Sequence, residues 1–95
     1  MAEGSVAPVR RIVTICNKRG LHARAAAKLV KMAASYDAEI KIVRNGSVVS
    51  GRSIMGLMML SAATGSSIEI RATGEQANEA VDGIAALVER AFDEE

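Results

Sequence analysis

The apolar positions change period along the chain, and each change marks an element. Over residues 9–16, Val13 and Ile15 stand against Arg11 and Thr14. A period of two sends neighbouring side chains to opposite faces, so a strand is expected there. Asn17-Lys18-Arg19-Gly20 then makes a polar loop. After it, Ala26, Leu29, Val30 and Ala33 fall at i, i+3, i+4 and i+7, with Arg24, Lys28, Lys31 and Ser35 on the other side. That stripe predicts a helix over about residues 23–35, starting at His22.

Further on, Ala38, Ile40 and Ile42 alternate with Glu39, Lys41 and Val43, and Val48-Val49 forms a second short run. Asn45-Gly46 between them is the pair that best accepts the positive φ angles of a two-residue hairpin turn. Ser53 is placed to cap a short helix running from residue 54 to about 61 and ended by Thr64-Gly65. Ile68, Ile70 and Ala72 alternate with Glu69 and Arg71 in a fourth strand. Thr73 to Gln76 has capping-box spacing and opens a last helix that buries Ala77, Ala80, Val81, Ile84, Leu87, Val88 and Ala91. Gly83 inside that helix weakens it by about 1 kcal/mol relative to alanine. Residues 1–8 read as a flexible lead-in, 9–92 as one domain and 93–95 as an acidic end. The order is β-α-β-β-α-β-α. Strands that alternate leave one sheet face wet, so the expected class is α+β, a two-layer open-faced sandwich. Its four-stranded antiparallel sheet would carry three helices on one face.

Composition then narrows the function. Of 95 residues, 49% are hydrophobic and 24% charged, which excludes disorder for the body of the chain. Lysine and arginine number 12 against 11 acidic residues, for a net charge of +1. That lacks the basic excess usual for binding duplex nucleic acid. Tyr36 and Phe92 are the only aromatics, so no platform exists for stacking bases or sugars. Cys16 is alone, cannot form an internal disulfide, and sits in an apolar stretch where burial is expected. The longest apolar run, around residues 54–60, is far below membrane-spanning length. Residues 1–8 lack the basic and apolar regions of a secretory signal. The expectation is a cytoplasmic domain without membrane insertion.

His22 is the only histidine, which excludes a multi-histidine metal cluster, and no glycine-rich phosphate loop is present. No metal and no cofactor are expected. A buried Cys16, six residues away, could not serve as a nucleophile paired with it. At the start of a helix, however, backbone N–H groups lack intrahelical partners and the dipole is positive, so anions bind readily. Arg24 adds a guanidinium whose geometry matches phosphate. Such positive surroundings favour a neutral imidazole, a competent nucleophile. These residues therefore describe a histidine able to accept a phosphoryl group. The plainer alternative is an incidental cap beside a solvated arginine. Ser53 likewise reads as an N-cap contributing about 1 kcal/mol, or as a hydroxyl placed to take a phosphate. Ile54, Met55, Leu57, Met58, Met59 and Leu60 surround Gly56, more apolar bulk than a short helix can bury. They form either an overfilled core or an exposed, methionine-rich docking patch.

Gly20-Leu21-His22-Ala23-Arg24 together with Ser53-Ile54-Met55-Gly56-Leu57-Met58, in this element order, closely resembles the HPr family. These are the histidine-containing phosphocarriers of the bacterial phosphoenolpyruvate-dependent phosphotransferase system, and the resemblance spans about residues 9–92. It implies that His22 takes phosphate on Nδ1 from phosphorylated Enzyme I and passes it to an EIIA-type acceptor, with Arg24 steadying the group. It implies a monomer that acts as a carrier and is not a stand-alone catalyst. Ser53 matches the serine phosphorylated by an HPr kinase/phosphorylase. Ile54, Met55 and Met58 match the apolar docking surface. A phosphate on Ser53 would set about two negative charges beside that surface and weaken docking. The family's usual motif has proline after the arginine, where this chain has Ala25. Asn17-Lys18-Arg19, Tyr36-Asp37-Ala38-Glu39 and the Phe92-Asp93-Glu94-Glu95 end lean toward the nitrogen-related branch and away from the sugar-importing one. Two other readings stand beside this one. The first is an interaction module with a passive His22, and the second an ACT-like sensor with a ligand pocket at a dimer interface.

Overall fold

Runs rich in β-branched residues build four strands, β1 (Val9–Thr14), β2 (Glu39–Arg44), β3 (Ser47–Ser50) and β4 (Ser67–Thr73). They are seen in a computed structural model that describes residues 7–94; residues 1–6 of the expected lead-in and Glu95 lie outside the described residues. The strands form one antiparallel sheet in the order β1-β4-β2-β3. Helices α1 (Ala23–Ala34) and α2 (Ile54–Met59) connect them, and α3 (Ala77–Glu89) follows β4. The register sets Val13 opposite Ile68, Ile42 opposite Ile70 and Ile40 opposite Ala72. All six are buried with Leu29, Leu57, Ile84 and Val88 from the helices. The other sheet face is open to solvent and mixes Ile12, Val43 and Val48 with charged residues; there Arg71 Nη2 lies 3.1 Å from Glu69 Oε1. The expected open-faced sandwich and element order are what the chain adopts.

Several boundaries differ from the reading above. The first strand closes at Thr14. Ile15 instead pairs with the turn before β4, its N–H donating to Ser66 O at 2.8 Å and its carbonyl accepting from Gly65 N–H at 2.7 Å. Cys16 therefore falls outside the strand and is exposed, against the expected burial, with its thiol 3.4 Å from Val88 O. The short helix stops at Met59 because Ser61 takes a positive φ of 53°. The capping box does not form. Gly74, at φ 118°, turns the chain so that Gln76 becomes the cap, and its Oε1 accepts from Asp37 N–H at 2.7 Å. The last helix ends at Glu89, so Ala91 lies in a following turn and only half-buried.

Gly83 is a packing requirement as well as a weak helix residue. A Cβ there would collide with the Tyr36 hydroxyl and stand 2.9 Å from its Cζ. The tyrosine crosses α3 at this point, its hydroxyl donating to Met32 Sδ at 3.7 Å. Urea unfolding of Gly83→Ala is expected to show a loss of about 1–3 kcal/mol from overpacking. A gain of about 1 kcal/mol, as helix propensity alone dictates, would mean that the ring does not lie against Gly83.

Candidate functional site

The loop before α1 is clamped onto the segment after α2. Gly20 has φ +67°, and a Cβ there would collide with Ala62 O. Leu21 N–H donates to that same carbonyl at 2.8 Å, and the Leu21 side chain is buried. The clamp delivers His22 as the extended N-cap of α1, with φ −81° and ψ −178°. Its carbonyl accepts the first helical bond, from Ala26 N–H at 2.8 Å. Its Nδ1 accepts from Arg24 N–H at 3.3 Å, and its Nε2 lies 2.7 Å from Glu94 Oε2. An ionised carboxylate only accepts, so the proton sits on Nε2 and Nδ1 presents its lone pair to the helix end. The first turn of α1 holds no acidic residue to compensate its dipole.

Glu94 comes from the stretch expected to lie beyond the domain, and with Asn17 and Lys28 it is what sequence reasoning missed in the site. Ala91, Phe92 and Asp93 take φ angles of 57°, 55° and 59°, one left-handed turn that folds the chain end back. Phe92 plugs the core, and Lys28 Nζ donates to its carbonyl at 2.6 Å. Asn17 Nδ2 donates to Glu94 Oε1 at 3.0 Å and to Gly20 O at 2.8 Å. The expected surroundings of the ring were wholly positive; the structure sets a carboxylate against it. Partial burial pushes the Glu94 carboxyl pKa up, but hydrogen bonds from Asn17 and His22 and nearby positive charge, that of Lys28 included, outweigh that. The net result is a value below the ordinary 4.5.

Lys18, Arg19, Arg24 and Lys28 line the open cleft around His22 with Asp93 and Glu94. Arg24 touches the ring through its backbone N–H; its exposed guanidinium has no partner among the described residues. Ser53 is not part of this cleft. It caps α2, with Oγ accepting from Gly56 N–H at 2.9 Å, and is half-buried. Around it the helix divides its apolar residues: Leu57 and Leu60 are buried. Ile54 (40%), Met55 (73%), Met58 (43%) and Met59 (77%) are exposed. The exposed patch, and not an overfilled core, is what forms. Among the described residues no cluster of three or more potential metal ligands occurs, and no helix is long and apolar enough to cross a membrane.

An imidazole capping a helix with no acidic residue in its first turn, in a cleft lined by four cations with Asp93 and Glu94, is an anion-binding arrangement on a small α+β sandwich. The family model for the "PTS HPr component phosphorylation site" matches residues 9–90, and the chain belongs to the HPr family of phosphotransferase-system phosphocarriers. It is 49% identical to the phosphocarrier protein NPr of Shewanella violacea, over 90% of this chain and 94% of that one. It is 44% identical to the phosphocarrier protein HPr of Cupriavidus necator, over 90% and 97% respectively. Among solved structures, HPr-C-His from Thermoanaerobacter tengcongensis superposes with a TM-score of 0.87 at 34% identity, covering 92% of this chain and 98% of that one. HPr from Bacillus anthracis gives 0.83 at 42% identity, covering 87% and 99%.

A depressed folded pKa means that the stability contributed by Glu94 is present above 4.5 and is lost as pH falls through the lower folded value. Carboxyl-carbon NMR should find its midpoint below 4.5, moving upward in Asn17→Ala. A midpoint at or above 4.5 in the unaltered protein would contradict the hydrogen bonding described.

Proposed function

We propose that His22 carries a phosphoryl group between two partners, accepting it on Nδ1 from phosphorylated Enzyme I and passing it to an EIIA-type acceptor. The observation that carries this reading is the commitment of the ring: Nε2 holds its proton against Glu94 while Nδ1 offers a lone pair. That pair attacks phosphorus, and the bond to the donor breaks with its electrons staying on the donor. The arriving phosphoryl oxygens meet the N–H groups of the first turn of α1, including that of Arg24, whose 3.3 Å bond to Nδ1 is long and readily exchanged. Arg24 reaches the same group with its guanidinium, while Lys18 and Arg19 draw in an acidic partner surface.

The exposed Ile54, Met55 and Met58 serve as the apolar docking surface, where flexible methionines fit more than one partner. Ser53 at the edge of that patch is the regulatory position, open to an HPr kinase/phosphorylase where one is present. Its phosphate would add about two negative charges there and oppose docking. The NPr relative supports the nitrogen-related branch. The protein acts as a cytoplasmic monomer, a single domain that starts at residue 9, extends through Glu94 and needs no cofactor. It is a carrier within a relay and not a stand-alone catalyst.

Incubation with Enzyme I and phosphoenolpyruvate should add one acid-labile phosphate, read by intact mass, that is absent from His22→Ala. Ala25→Pro should still be phosphorylated. Position 25 lies ahead of the first helical hydrogen bond, which Ala26 makes, so the ring removes no helical bond. A phosphate retained on His22→Ala, or none on the unaltered protein with a competent Enzyme I, would contradict the carrier reading. In the second case a binding module with a passive histidine would take its place.

A further inference from the structure

The inference below rests on the reading of His22 as phosphoryl acceptor. We propose that Glu94 and Asn17 are positioning residues for that reaction: the C-terminal turn delivers a carboxylate that holds His22 Nε2–H, so that Nδ1 is the ring atom that reacts.

Chain ends fray unless something ties them down. Here three successive residues other than glycine adopt the left-handed conformation, which crowds each Cβ against the following carbonyl oxygen. The turn persists because Phe92 is buried, Lys28 holds the Phe92 carbonyl at 2.6 Å, and Arg90 Nε holds Asp93 Oδ1 at 2.8 Å. What this strained turn brings into place is the Glu94 side chain, 2.7 Å from the ring.

Asn17 bears a second sign of the same kind. It is 3% exposed, and its Nδ2 faces two acceptors, Gly20 O and Glu94 Oε1. That fixes the orientation of the amide and leaves Oδ1 buried with no hydrogen-bond partner among the described residues. A buried polar atom left unpaired loses its hydration with nothing in exchange. The amide is held in an unfavourable setting whose product is an aligned carboxylate, a pattern typical of functional sites.

The chemistry balances around this pair. Before transfer the ring is neutral, with hydrogen on Nε2. After Nδ1 bonds phosphorus, the ring keeps that hydrogen and carries positive charge, which the Glu94 carboxylate offsets. When the phosphoryl group moves on, the Nδ1–P electron pair returns to Nδ1 and the original tautomer is restored. No proton has to enter or leave.

The test uses the full chain with 15N-labelled histidine. In the unaltered protein the Nε2–H signal should be visible and protected from water exchange. In Glu94→Ala it should be lost to exchange, and kcat for phosphoryl acceptance should fall roughly fivefold to tenfold with KM for Enzyme I little changed. Asn17→Asp sets like charges together and should do the same. Normal acceptance by Glu94→Ala with the ring signal intact would overturn the positioning role and leave the carrier reading standing. Failure of the unaltered protein to accept phosphate would overturn the carrier reading itself, and the positioning role with it.

Discussion

Both nitrogens of the single histidine are engaged before any partner arrives, one by a backbone N–H of the helix it caps and the other by a carboxylate. That division depends on two long-range contacts. Leu21 is bonded to Ala62, which sets the ring at the end of α1, and Asn17 is bonded to Glu94, which brings the segment after α3 to the ring. The rest of the architecture serves to keep these three segments together. The buried helix-facing side of the sheet supplies a rigid floor, and Phe92 closes it at the end nearest the site.

The division of labour between the two layers follows from size. A chain of 95 residues has one thin core, so it cannot enclose a substrate. Its chemistry has to lie on the surface, at helix ends and in loops. The cleft around His22 holds the cations, while the exposed side of α2 holds the apolar residues. A partner that covers both would meet charge at one point and methionines at another. This gives orientation through the former and adaptable contact through the latter. Ser53 lies at the base of α2, outside the histidine cleft and beside the exposed residues of that helix.

Much of this was legible in the sequence because one sheet face is wet. Ile40, Ile42, Ile68 and Ile70 keep a period of two that only a half-buried strand satisfies. His22 was legible as a cap because the apolar stripe of α1 begins just after it. The family resemblance then tied it to Ser53 and the methionines. Glu94 was not legible, since nothing in Ala91, Phe92 and Asp93 announces three left-handed residues in a row. A capping box was expected at Gln76, but its side chain found the backbone of Asp37, 39 residues earlier, a partner that no local pattern reveals. Propensity marks Gly83 as a weak point of α3, while its real constraint is a tyrosine from the turn after α1. Each miss is a contact between distant segments, and each was invisible for that reason.

The identity of the reacting nitrogen is the point on which the tautomer, the helix end and the C-terminal turn converge. Phosphorus–nitrogen coupling measured by NMR on the phosphorylated, 15N-histidine-labelled chain reads it without reference to rates or partners. Phosphorus coupled directly to Nδ1 is the expected result. Phosphorus on Nε2 would require Glu94 to have left the ring before the reaction, and would contradict the account of the site given above.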